Sequence, residues 1–139
     1  MREIKFRAWH IGLKKMFSAE EMAKDQLTLL TTGKFINVSS ASTKLSQIIE
    51  DMIPLQFTGV CDKNDIKIYE GDIVEWDHGV NETDRGIDEI IFNEGSFKLG
   101  KCYGYSLDSF QYRGSTWLKI IGNIYEDPEL LGDDNDDTR

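Results

Sequence analysis

Asp62, Asn64, Glu70 and Asp72 crowd into one short stretch of the chain, and such a run of oxygen donors invites a divalent cation or an acid–base pair. An EF-hand loop needs oxygen ligands at positions 1, 3 and 5, glycine at 6 and glutamate at 12. Counted from Asp62, the last three of these fall on Ile66, Lys67 and Ile73. The simpler reading is that Asp62 and Asn64 fold one turn and Asp72 caps another. A metal-dependent enzyme using Asp62, Glu70 and Asp72 is therefore the alternative, with no metal site expected. Zinc fares no better. Cys61 and Cys102 lie far apart, and His10 and His78 share no ligand spacing with either. Either thiol could be a nucleophile with His78 as base, but the flanks Val60-Cys61-Asp62 and Lys101-Cys102-Tyr103 supply no activating pattern. No glycine spacing makes a phosphate-binding loop. No catalytic residue and no cofactor is expected.

The elements that position these residues are strands. From Gln56 to Trp76, Phe57, Val60, Ile66, Ile68, Tyr69, Ile73, Val74 and Trp76 favour extended backbone. Asp62-Lys63-Asn64-Asp65 supplies one turn and Glu70-Gly71-Asp72 the next, with Gly71 free to take positive φ. This reads as a β-meander.

Three co-linear motifs carry a resemblance. Phe57-Thr58-Gly59, Asp62-Lys63-Asn64 and Ile68-Tyr69-Glu70-Gly71-Asp72-Ile73-Val74 form the first, Arg2–Trp9 the second and Ile121-Gly122-Asn123-Ile124-Tyr125-Glu126-Asp127-Pro128-Glu129-Leu130-Leu131 the third. Together they resemble the YopX family of phage and prophage proteins over nearly the whole chain. Val60-Cys61 and Asp65 depart from its usual pattern. The resemblance implies a β-barrel-like C-terminal region, a more variable N-terminal part and no assigned activity. It marks Thr58, Gly59, Asp62, Lys63, Tyr69, Glu70, Gly71, Asp72, Gly122 and Asn123 as signature positions with a structural role.

The 139 residues are 40% apolar, enough for a modest core without staples. Net charge is −9, unevenly spread. Residues 1–53 hold eight basic and six acidic side chains (+2), whereas 54–139 hold eight basic and nineteen acidic (−11). Gly12 and Gly33 are the only glycines before Pro54 and ten follow it, so a boundary is expected near Pro54. With two widely spaced cysteines, no apolar leader and no run long enough to cross a bilayer, the expectation is a cytoplasmic protein of the bacterial host cell that does not span a membrane.

From Arg2 to Trp9, Ile4, Phe6 and Ala8 alternate with charged residues as in a half-buried strand, which places Trp9 on the polar side. A turn over Ile11–Lys15 leads to a return strand at Met16-Phe17. Ser18 and Glu21 form a capping box opening a short helix. Thr31–Lys34 joins Leu27–Leu30 to Phe35–Val38 as a hairpin. Leu45, Ile48, Ile49 and Met52 recur at helical spacing, and Pro54 would stop that helix. Further strands are expected at Asp88–Phe92, Phe97–Lys101 and Trp117–Tyr125, with a single helical turn at Asp127–Leu131 carrying Pro128 at its first position. Residues 132–139 form an acidic tail expected to be disordered.

The fold expected is mainly β: residues 1–53 form a strand-rich N-terminal region with one or two short helices, suited to oligomerisation, and 54–131 a small, partly open, SH3-like barrel. The function expected is that of a non-enzymatic phage or prophage accessory or assembly protein working through protein contacts. Its partners would be further copies of itself and a basic protein surface. Direct nucleic-acid binding is not expected, since nine acidic side chains face Arg85 alone between Glu70 and Glu94. The same charge admits a third possibility, an acidic mimic of nucleic acid or a modulator of a DNA-binding host protein. Tyr103, Tyr105, Phe110 and Tyr112, interleaved with Lys101 and Arg113, suit a protein-contact loop or packing over a barrel end.

Overall fold

The architecture comes from a computed structural model that describes residues 2–38, 48–77, 85–100, 107, 111–112 and 115–132. The chain is mainly β, and one sheet curls into a half-barrel. Its contacts divide into two compact units, Glu3–Gln56 and Phe57–Arg139. The division falls inside a single ten-residue strand, Met52–Cys61.

In the first unit, β1 (Phe6–His10) pairs antiparallel with β2 (Lys15–Phe17) and, on its other side, with the first half of β6 (Met52–Cys61). The helix α1 (Ala19–Lys24) starts at Ser18, whose hydroxyl accepts from the Glu21 N–H at 3.1 Å while the Glu21 carboxylate accepts from the Ser18 N–H at 3.3 Å. That backbone N–H, together with Lys15 at 3.2 Å, holds the Glu21 carboxyl below its ordinary range. β3 (Leu27–Leu29), β4 (Phe35–Asn37) and β5 (Ile48–Ile49) make a second small sheet. Ala8, Phe17, Met22, Phe35 and Met52 form the core, with Leu27, Leu29 and Ile49 packed on it.

Three expectations are corrected here. Ile48 and Ile49 are strand residues opposite Ile36 and Phe35, and Met52 opens β6, so the helix expected there does not form over the described part; Leu45 lies outside the described residues. A short apolar run fits both periods, and pairing with β4 decides it. Pro54 sits within β6 opposite Ala8, tolerated because this half of β6 pairs with β1 alone and the strand Lys67–Tyr69 joins only from Phe57 onward. Trp9 is buried, next to a fully buried Ala8, whereas Ile4 is 64% exposed and precedes the strand.

In the second unit, the far half of β6 pairs with β7 (Lys67–Tyr69). β8 (Asp72–Asp77), β9 (Arg85–Asn93), β10 (Ser96–Leu99) and β13 (Leu118–Asn123) form an antiparallel sheet in the order β10-β9-β8-β13. β11 (Gln111–Tyr112) and β12 (Ser115–Thr116) pair with each other. Ile68, Val74, Ile90, Leu99, Leu107 and Leu118 make the core. Pro128–Leu131 is a single 3-10 turn, with proline in its first turn as the sequence suggests. The meander is corrected: β7 belongs with β6 and β8 with β9 and β13, so Glu70-Gly71 turns a corner between sheets. The tail after Gly132 and the aromatic positions Tyr103, Tyr105 and Phe110 lie outside the described residues.

Gly71 takes φ +88°, and a β-carbon there would stand 3.1 Å from the Tyr125 ring. Gly95 shares the positive φ, at +80°, but has open space around it. Gly71→Val is therefore expected to cost more than about 1 kcal/mol, and more than Gly95→Val, since both carry the left-handed backbone penalty and only the first adds a steric one. Chemical denaturation of the two variants checks this; equal losses would remove the role given to Tyr125.

Candidate functional site

The signature residues gather in the second unit, and most act on the backbone. Asp62, 5% exposed, is the clearest case. Its Oδ1 accepts from the N–H groups of Asn64 at 2.8 Å and Ile66 at 3.0 Å, folding the β6–β7 turn, and its Oδ2 accepts from the Ile120 N–H at 3.0 Å. Beside it the Lys63 N–H donates to the Leu118 carbonyl at 2.8 Å while its side chain stays exposed. The turn thus lies along β13 on the side away from β8. Thr58 bridges β6 and β7: its hydroxyl donates to the Ile68 carbonyl at 2.8 Å and accepts from the Val60 N–H at 3.1 Å, flanking Gly59 at φ +89°.

The second cluster is the corner. Asp72, 2% exposed, accepts from the Tyr69 N–H at 2.7 Å, and the Tyr69 ring packs at 5.8 Å from that of Phe57. Gly71 donates to the Ile90 carbonyl and accepts from the Ile124 N–H, both at 2.9 Å, so the corner is stitched to β9 and to the end of β13. Asp72 stands opposite Asn123 in the β8–β13 register. The Asn123 side-chain oxygen accepts from the N–H groups of Tyr125 and Glu126, and its amide donates to Glu126. The register slips between Ile120 and Gly122, a bulge, and a β-carbon on Gly122 would come within 2.6 Å of the Asp127 carboxylate. Glu70 is half-buried at the corner itself.

Asp62, Glu70 and Asp72 are not drawn into a ligand set. Among the described residues no three His, Cys, Asp or Glu side chains are placed to share a metal ion. Cys61 is half-buried in β6, and Cys102 and His78 lie outside the described residues. In the first unit His10 accepts a hydrogen bond at Nδ1 from the Leu13 N–H at 3.0 Å. No helix among the described residues is long and apolar enough to cross a membrane.

A groove of about 580 Å³ opens on the second unit, lined by Glu75, Trp76, Arg85, Gly86, Ile87 and the Leu130–Gly132 end of the 3-10 turn. Its floor depends on one strand pair. Gly86 faces Trp76 across β8 and β9, and a β-carbon on it would sit 2.7 Å from the indole. β9 begins at Arg85, ahead of the strand expected at Asp88–Phe92, and a glycine inside a strand is a mark of close approach by a neighbour.

A YopX protein family model matches residues 5–132. The chain belongs to the YopX family. Its fold is shared by solved crystal structures, among them the following two. Protein EF1440 from Enterococcus faecalis is 26% identical, with a TM-score of 0.63 over 94% of this chain and 99% of that one. Protein yopX from Bacillus subtilis is 16% identical, with a TM-score of 0.60 over 96% of this chain and 98% of that one, a likeness of fold. No protein with a curated description matches. The residues that the resemblance singles out thus form a hydrogen-bonded frame joining the β6–β7 turn, the β7–β8 corner and the end of β13.

Replacing Asp62 by alanine is expected to destabilise the fold by about 3 kcal/mol, because three backbone donors lose a charged acceptor in a buried setting. Asp62→Asn, which retains one acceptor oxygen, should fall between. Urea unfolding measures both, and an Asp62→Ala protein as stable as the parent would refute the assignment.

Proposed function

We propose that this YopX-family protein is a non-enzymatic phage or prophage accessory or assembly protein that acts through protein contacts in the cytoplasm of the bacterial host. The observation carrying this reading is a contrast within the second unit. Asp62 and Asp72, two of the three carboxylates a metal-dependent reaction would use, are buried and engaged by backbone N–H groups, while Glu70 is half-buried. Large apolar side chains, by contrast, stand in solvent: Ile66 is 55% exposed and Phe92 53%, with Ile87 and Trp117 less so. Such exposure of large apolar groups is what contact surfaces use. The phage setting follows from the family resemblance.

The charge supports a basic protein as partner. The segment 54–139 carries net −11, which repels a phosphate backbone and steers positive surfaces toward it. Self-association is part of the same proposal, motivated by strand edges in the first unit. A pull-down from phage-infected lysate at low and high salt is expected to recover a salt-sensitive protein partner, while duplex and single-stranded DNA stay unshifted in a gel. Light scattering should report a dimer or larger. DNA binding at micromolar concentration and physiological salt would sink the reading, since that is the range of a nonspecific nucleic-acid binder.

The metal-enzyme alternative has its own measurement. Millimolar calcium, magnesium or zinc is expected to leave the melting temperature unchanged, whereas a tight site would raise it by linkage. A dose-dependent rise abolished by Asp72→Asn would restore the alternative.

A further inference from the structure

The turn between β1 and β2 is held in an unusual way. Residues Ile11–Lys14 connect the strands, with Lys14 at φ +51°. The Leu13 N–H is taken by a side chain, the imidazole Nδ1 of His10, at 3.0 Å, and the Ile11 N–H donates to the Asp51 carbonyl at 2.8 Å. An imidazole nitrogen accepts only when it carries no proton, so this bond requires neutral His10 with its hydrogen on Nε2. Protonation sets N–H against N–H.

We propose that the Ile11–Lys14 turn is a pH-responsive element, closed by neutral His10 and released when the imidazole takes a second proton. The charged surroundings give the released state a partner. The Asp51 carboxylate and the His10 ring both border Gly12: a β-carbon on that residue would lie 3.5 Å from Asp51 Oδ2 and 3.6 Å from His10 Nδ1. Asp51 is thus the counter-charge at hand for an imidazolium. Opposing it, Lys15 faces His10 in the β1–β2 register, but its ammonium is engaged by Glu21 at 3.2 Å and lies 4.5 Å over the Phe17 ring. Lys14 is the other cation of the turn, and from β6 the facing residue is the apolar Met52. The element that would be released carries Ile11, 53% exposed, and Leu13, 65% exposed. Protonation of His10 therefore loosens an apolar turn that its neutral imidazole holds, whatever partner the protein serves.

The test is a pH titration of the full chain by two-dimensional amide NMR. The Leu13 amide is expected to titrate together with the His10 ring proton. Allowing for the intrinsic pH dependence of exchange, its hydrogen exchange should speed up by about tenfold below the transition, the effect of losing one modest hydrogen bond in a local opening. His10→Asn places a carbonyl oxygen where Nδ1 stood and should keep Leu13 protected at every pH. His10→Phe should leave it unprotected throughout. A wild-type Leu13 amide that does not follow the His10 titration overturns the proposal, as does one that still titrates in His10→Phe; should that variant fail to fold, the wild-type titration decides.

Discussion

The Asp62 carboxylate does for the second unit what an additional stretch of sheet would otherwise have to do. A turn next to a strand leaves backbone N–H groups that burial would strand without partners, at a cost of about 1–3 kcal/mol each. Two oxygens of one side chain take three of them, two within the turn and one from β13, 58 residues away in sequence. Charge strengthens those bonds, and burial removes the water that would compete for them. The same engagement removes the side chain from chemistry, since oxygens aimed at backbone donors have little to offer a cation or a substrate.

The rest of the second unit depends on that anchoring. With β13 fixed to the β6–β7 turn on one side and to β8 on the other, the bulge at Ile121 brings Gly122 against Asp127 and Leu130. The Asn123 side chain then caps the turn that follows. Gly71 closes the arrangement by giving its N–H to β9 and its carbonyl to Ile124. Local links fold the turns, and the remote ones, Ile120 to Asp62, Gly71 to Ile90 and Ile124 to Gly71, join them, which is why single changes at these positions act on the frame as a whole. The groove floored by Trp76 is a by-product of the same economy: an indole can lie across β9 only because Gly86 offers no side chain.

The first unit is built differently. Its core is a short list of apolar side chains from β1, β2, α1, β4 and β6, and its helix is fixed by a local reciprocal cap. Little there depends on buried charge. Its polar device is the His10 bond to the β1–β2 turn, which lies near the surface.

What the sequence determined by itself was local. The Ser18/Glu21 cap, the Thr31–Lys34 hairpin, the turn at Asp62–Asp65, the glycine corner at Gly71 and the proline-led turn at Pro128 are all set by residues within a few positions of one another, where side-chain chemistry and φ preference act directly. The mainly β class followed from β-branched and aromatic content, and the signature motifs identified the family. Tertiary structure decided the rest. Ile48, Ile49 and Met52 fit a helical face as well as they fit strands, and only pairing with β4 and β1 resolved them. Trp9 read as solvent-facing because alternation describes one sheet face and is silent about what covers the other. That β7 and β8 part company, that Asp62 reaches Ile120, and that Gly86 lies beneath Trp76 are long-range facts. They rest on hydrogen bonds and close packing between segments whose separation no local preference encodes.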